Sequence, residues 1–276
     1  MKFEHTEVFN FQGAIRGMRN PLASWGKSDS QFTIQCEHEE NYEESYEVAN
    51  SYVNFTLDKM VSNENDTEEV INTTLRDELF EQHYNILINE GDHYLNDHHY
   101  EGCYIGPNDL KLMKQLINAG SEHRKFLRQI FVSVDITAPL YWWKEFDTYK
   151  VGTVANSTST MHKIQAKEFS REDFSCDRLS TEALDVLDSI IEFLERERQA
   201  FVATKDKAHW HNMIQLLPTS YNQLRTVTLN YEVLINIYYA RRNHKLSEWR
   251  VLADAIEKLP YANELILVKD GAEQTP

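Results

Sequence analysis

The sequence predicts an α+β fold, a helix-rich single domain spanning residues 1–276 around a modest central β-sheet. Three observations carry this reading. Several segments repeat apolar residues at helical spacing, one segment near the middle alternates apolar with polar residues, and no internal repeat or low-complexity linker divides the chain. With 276 residues and 41% hydrophobic content, the chain can bury a sizeable core without covalent staples.

Taken in order, the first thirty residues read as mixed and loop-like, with turn signals at Asn20-Pro21 and Trp25-Gly26 and a basic pair, Arg16 and Arg19. The stretches 37–48 (EHEENYEESYEV) and 63–69 (NENDTEE) are acidic and read as solvated faces. From Thr74, the run TLRDELFEQHYNILI sets Leu75, Leu79, Ile86 and Leu87 in an amphipathic helical pattern that Gly91 can close. Asp92, His93, Asp97, His98 and His99 then crowd a polar segment read as a loop. Adjacent histidines there point apart, and a metal site needs a more distant ligand to close its shell, so none is expected.

Pro107 opens the next helix, Leu110, Met113, Leu116 and Ile117 keep helical spacing, and Gly120 takes the C-terminal capping position. Residues 130–138 (IFVSVDITA) alternate, Val132, Val134 and Ile136 facing one way and Ser133, Asp135 and Thr137 the other, which predicts a half-buried strand. Pro139 breaks it, and Leu140 to Lys150 (LYWWKEFDTYK) read as an aromatic helix whose Tyr141, Trp142 and Trp143 serve the core or an interface. Leu179 to Ala200 form the longest helix, with Ser180 as N-cap and Leu184, Leu187, Ile191 and Leu194 as the buried stripe. Leu224, Val227, Tyr231, Leu234 and Tyr238 predict a further helix, and Leu246 to Leu259 another.

Composition narrows the function. A formal net charge of −16 opposes duplex DNA and anionic membranes, because affinity for either comes largely from clustered Lys and Arg, so neither partner is expected. A small anionic ligand stays open, since a few basic residues in a cleft can outweigh a negative global field. Three widely spaced cysteines, Cys36, Cys103 and Cys176, give neither a disulfide framework nor a zinc ribbon and fit a reducing compartment. No apolar run reaches the roughly 20 residues of a membrane span, and the N-terminus lacks a signal-peptide core, so a cytoplasmic location is expected.

Three ordered segments between residues 107 and 260 resemble the flavin-dependent thymidylate synthases. The helix ending at Gly120 is followed by SEHRKFLRQ, where that family has G-H-x-T-P-x-E-H; His123 falls on its first histidine and Gln129 on its second. Thr148, Tyr149 and Lys150 stand at the distance of the signature R-H-R, and Thr153 to Ser159 resemble its S-x-N-E-x-S tail, with Asn156 inside it. The final serine is Thr158, or Ser159 if one residue is inserted, and the arginine that follows in the family is Thr160 or Met161. In the third segment Leu217-Pro218 matches the family's L-P, and Asn230, Asn236, Arg241 or Arg242, and Trp249 follow at matching intervals, while Ile214 or a neighbour replaces an arginine before L-P.

The resemblance implies FAD as cofactor, NADPH and methylenetetrahydrofolate as co-substrates, dUMP converted to dTMP without an enzyme nucleophile, and a homotetramer with flavin between subunits. It implies flavin and nucleotide contacts for His123, Gln129, Thr148, Tyr149, Lys150, Asn156, Asn230 and Asn236, and roles in the reaction for Ser159, Arg241 and Arg242. Independently, Asn230 and Arg241 stand eleven residues apart, about 20° on a helical wheel, which predicts a shared face. Against this, Asn230 and Asn236 could be exposed helix polar residues, Arg241 and Arg242 could serve a helix C-terminus, Ser157 to Ser159 could be a polar turn, and His209, Trp210 and His211 read as core or surface. The substituted signature also leaves open a catalytically altered relative that binds a nucleotide or a protein partner.

Overall fold

A computed structural model describes residues 1–33, 98–100 and 102–268. The predicted helix from Thr74 and the acidic runs lie outside the described residues, as does His93. The fold mixes helices with a small sheet, as the sequence predicts. Its contacts group into two compact units, Met1–Thr6 with Leu127–Pro276, and Glu7–Phe126.

In the first unit the sheet runs in the order β1 (Lys2–Phe9, which continues past the unit's edge), β5 (Phe131–Pro139), β7 (Asn222–Asn230) and β6 (Val154–Ser157). β5 and β7 are antiparallel, with Phe131 opposite Asn230 and Pro139 opposite Asn222, and β6 pairs antiparallel to the other side of β7, Val154 opposite Thr228. The alternation expected in β5 is present: Val132, Val134 and Ile136 are buried and the residues between them half-buried.

β7 corrects the sequence reading, which ran a helix from Leu224 to Tyr238. That spacing is real from Tyr231 onward, but Thr226-Val227-Thr228-Leu229 alternates, with Val227 and Leu229 buried, and two β-branched threonines favour the pleated surface. The chain leaves the strand at Asn230 and only then enters a helix, α7 (Tyr231–Arg241).

Around this sheet stand α3 (Leu140–Phe146), α4 (Thr160–Lys163), α5 (Thr181–Thr204), α6 (Lys207–Leu216), α7, α8 (Ser247–Glu257) and α9 (Ala262–Leu265). α5 is the long helix expected, and Ser180 caps it by accepting a hydrogen bond from Ala183 N at 3.3 Å. Leu187 and Leu194 are buried in a cluster with Ile164, Phe169, Phe174 and Met213, while Leu184 and Ile191 are half-buried. α7 is apolar on nearly every side, as a helix enclosed by protein must be. α3 ends at Phe146, sooner than expected; its Trp142 and Trp143 are fully buried with Trp249 of α8, the core role the sequence suggested.

The second unit corrects the loop reading of the N-terminus. Phe11, Ala14, Ile15 and Met18 make one buried stripe of α1 (Phe11–Arg19), which precedes β2 (Gln31–Thr33), β3 (His98–Tyr100), β4 (Gly102–Tyr104) and α2 (Pro107–Asn118). His98 and His99 thus lie on a strand and not on a loop. α2 begins at Pro107 as expected, and Gly120 follows it with φ +99°, a left-handed conformation that glycine adopts without a Cβ penalty. Arg19 is buried and donates to Asp109 Oδ1 at 2.5 Å; Asp109 Oδ2 also accepts from the hydroxyls of Ser28 and Ser30 at 2.7 and 2.6 Å. Burial alone would raise the Asp109 pKa, but the bonds from Ser30, Ser28 and Arg19 outweigh it and hold the carboxyl below its ordinary value.

Candidate functional site

The site builds from the C-terminal end of α3. Its last carbonyls are closed by a turn: Thr148 N donates to Glu145 O at 3.1 Å, Tyr149 N to Phe146 O at 2.9 Å, and the Thr148 hydroxyl to Glu145 O at 2.7 Å. Thr148 therefore completes a helix end. The turn leaves Lys150 exposed and lays the Tyr149 ring beside Trp249, centroids 5.9 Å apart. Gly152 follows with φ +75°, and a Cβ there would come within 3.0 Å of Asn230 Nδ2. Glycine lets the turn close down on the start of α7.

Asn230 is buried, and its side-chain oxygen accepts from Val233 N at 3.1 Å, making it the N-cap of α7. It is neither exposed nor helical, so the helical-wheel relation to Arg241 does not apply; the residue is in extended conformation where strand becomes helix. Asn236 is exposed on α7, five positions before Arg241 and so about 140° around the helix.

At the other end of α7, Arg241 Nε donates to the Tyr149 hydroxyl at 3.0 Å, and Nη1 donates to Glu145 Oε2 at 3.3 Å. The guanidinium lies over the Trp249 ring, 4.8 Å from its centroid. Trp249 Nε1 donates to the same Glu145 oxygen at 2.9 Å, and His244 Nε2 stands 3.7 Å from it. Five side chains from α3, the turn after it, α7, the segment after α7 and α8 thus form one polar cluster on an aromatic floor. Its heads are reachable from solvent: the side chains of Arg241 and Glu145 are 24% and 37% exposed.

The structure joins two of the expected site residues directly, Tyr149 and Arg241, and sets Asn230 against the same turn through Gly152. Arg242 stays exposed with its guanidinium over Tyr238 and Tyr239, and Ser159 caps the short α4 by accepting from His162 N at 3.1 Å. Asn156 is exposed on β6, Gln129 is exposed in the 3-10 turn before β5, and His123 is exposed in the turn after Gly120 in the second unit. His209, of the His209-Trp210-His211 run, shares Glu197 with Asn212, Nδ1 to Oε2 at 2.8 Å, and ties α6 to α5.

Sequence reasoning missed Glu145, His244 and Arg225. Arg225 on β7 lies over the Trp143 ring, 4.3 Å from its centroid, and pairs with Asp147 at 2.7 Å. The available signal was the pair of acids flanking Phe146 in LYWWKEFDTYK, which leaves two carboxylates beside a helix C-terminus, where the macrodipole disfavours them unless cations are supplied. Arg241 and Arg225 supply them.

No protein-family model and no curated protein matches the chain. Among solved structures, the chain is similar to a flavin-dependent thymidylate synthase from Helicobacter pylori complexed with FAD and dUMP, with TM-score 0.45 and 18% identity over 58% of this chain and 83% of that one. A second structure of that enzyme, also with FAD and dUMP, gives the same values over 82% of its length. A UMP/dUMP methylase, PolB from Streptomyces cacaoi, bound with 5-Br UMP, matches with TM-score 0.44 and 16% identity over 61% of this chain and 85% of that one. No helix among the described residues is long and apolar enough to cross a membrane.

Proposed function

We propose that this chain is a nucleotide-binding relative of the flavin-dependent thymidylate synthases, taking a uridine nucleotide at the Tyr149–Arg241 cluster. The observation that carries the reading is the 3.0 Å contact between Arg241 and Tyr149, which joins two of the three resembling segments in one place. An arginine stacked on indole, flanked by a histidine and reachable from solvent, has the fork geometry and charge that a phosphomonoester recruits.

The residues present do not fit a flavin held as the resemblance implies. The Thr148 hydroxyl closes α3, the Asn230 oxygen caps α7, the Ser159 hydroxyl caps α4, and Lys150 is the one cation in the triplet. Each guanidinium missing from that triplet removes charge-assisted bonds of roughly 1.5 to 3 kcal/mol, so a diphosphate cofactor would lose orders of magnitude in affinity.

The contact between two of the resembling segments also favours a second reading, an FAD-dependent enzyme that methylates dUMP with methylenetetrahydrofolate and NADPH, homotetrameric and cytoplasmic, with Arg242, Asn236, Asn156 and Gln129 also in its site. The test mixes purified protein with FAD, removes the excess and records the visible spectrum, alongside calorimetry with dUMP. Binding of dUMP without retained flavin supports the nucleotide-binding relative. Retained flavin with NADPH oxidation on adding dUMP and the folate overturns it in favour of the enzyme, and absence of dUMP binding overturns both.

A further inference from the structure

Glu145 stands where an anion should. Its Oε2 accepts from Trp249 Nε1 at 2.9 Å and Arg241 Nη1 at 3.3 Å, with His244 Nε2 at 3.7 Å, so an uncharged donor and two basic side chains converge on one oxygen. The residue supplying that oxygen sits one position from the end of α3, where the helix macrodipole disfavours a carboxylate. What compensates is the cradle. Because Arg241 and Glu145 are partly exposed, the ion pair is screened and weakly held, and the glutamate can swing toward solvent without leaving a charge buried.

From this geometry we infer that Arg241, His244 and Trp249 form an anion-binding cradle that Glu145 occupies as an internal competitor, and that a ligand phosphate enters by displacing it. The inference rests on the nucleotide reading for the ligand's identity but not for the cradle itself. A phosphomonoester carries more charge than the carboxylate and offers three acceptor oxygens, so it can meet all three groups, where one glutamate oxygen now bonds Trp249 and Arg241 and leaves His244 at 3.7 Å. Displaced Glu145 remains tethered nearby and repels the bound phosphate. The carboxylate therefore sets a threshold: weak anions stay out, and only a ligand with a second anchoring group, such as a base and sugar, enters at low concentration.

The experiment measures affinities for dUMP, deoxyuridine and inorganic phosphate by calorimetry in wild type, Glu145→Gln and the double variant Glu145→Gln with Arg241→Gln. Glutamine keeps an acceptor for Trp249 Nε1 while removing the charge, and near-UV circular dichroism checks that the aromatic floor is intact; Glu145→Ala carries the same expectation if glutamine does not fold. We expect dUMP and phosphate to bind about tenfold tighter to Glu145→Gln, about 1.4 kcal/mol, with deoxyuridine unchanged and the gain abolished in the double variant. A gain for phosphate without any dUMP binding would keep the cradle and sink the nucleotide reading. Unchanged or weaker phosphate and dUMP affinity in a folded Glu145→Gln, or a gain that survives loss of Arg241, would show that Glu145 only braces Trp249 and would overturn the inference.

Discussion

At the scale of single residues, the candidate site is held together by side chains that do ordinary structural work. Asn230 accepts the Val233 amide and ends β7, while its amide nitrogen lies against Gly152. Replacing an N-cap Asn with Ala costs about 1 kcal/mol, and up to about 2 in a folded protein, and α7 is buried along most of its length. Asn230→Ala should therefore lower the urea midpoint by an amount equivalent to about 1–2 kcal/mol, and Asn230→Ser should recover most of that. Unchanged stability in the alanine variant with loss of ligand binding would instead assign Asn230 to the ligand. The interval from Asn230 to Arg241 was visible in the sequence, but the partners of Arg241 were not. Tyr149 and Glu145 lie more than ninety residues away along the chain, and periodicity reports which face a side chain occupies, never what stands opposite it.

At the scale of elements, α5 is anchored by one carboxylate. Glu195 accepts from Arg198 Nε and Nη2 at 2.7 and 2.6 Å, from Gln199 Nε2 at 2.9 Å, and from Phe169 N at 3.1 Å, so it fixes the loop before Phe174 onto the helix. The Arg198 bonds above all pull its pKa down to about 2, from an ordinary value of 4.5. A carboxyl depressed in the folded state stabilises fully above its unfolded pKa and loses that contribution as pH falls through the folded one. The window in which that contribution is lost therefore runs from about pH 4.5 down to 2. Chemical denaturation of wild type and Glu195→Gln at pH 7 and pH 3 should give a gap that narrows at the lower pH; a gap constant with pH would contradict the assignment. Elements with one clear period, such as α2, β5 and α5, were legible in the sequence because their buried faces are continuous. β7 was not, because Leu224, Val227 and Tyr231 also satisfy helical spacing across a strand–helix junction. α1 was missed for another reason: its two glycines and flanking Asn and Pro look like turn chemistry, although Phe11, Ile15 and Met18 keep a helical face.

At the scale of the whole molecule, the dominant quantity is the net charge of −16, which repels the chain from itself as well as from polyanions. As pH falls from 7, the eleven histidines gain positive charge before the carboxylates begin to lose their negative charge, and together they bring the net charge to zero. Glu195, at about 2, and Asp109, held below its ordinary value, keep their charge and their partners through the same range. The isoelectric point, near 5.1, therefore falls where colloidal repulsion has been removed but Glu195 and Asp109 still hold α5 and the Arg19 network in place. Solubility and folding should separate. Turbidity at low ionic strength should peak near pH 5 while far-UV circular dichroism of the soluble fraction stays at its pH 7 value, with the ellipticity falling only below about pH 4. Loss of ellipticity at pH 5, ahead of or together with turbidity, would mean that ionised groups other than these two carboxylates sustain the fold.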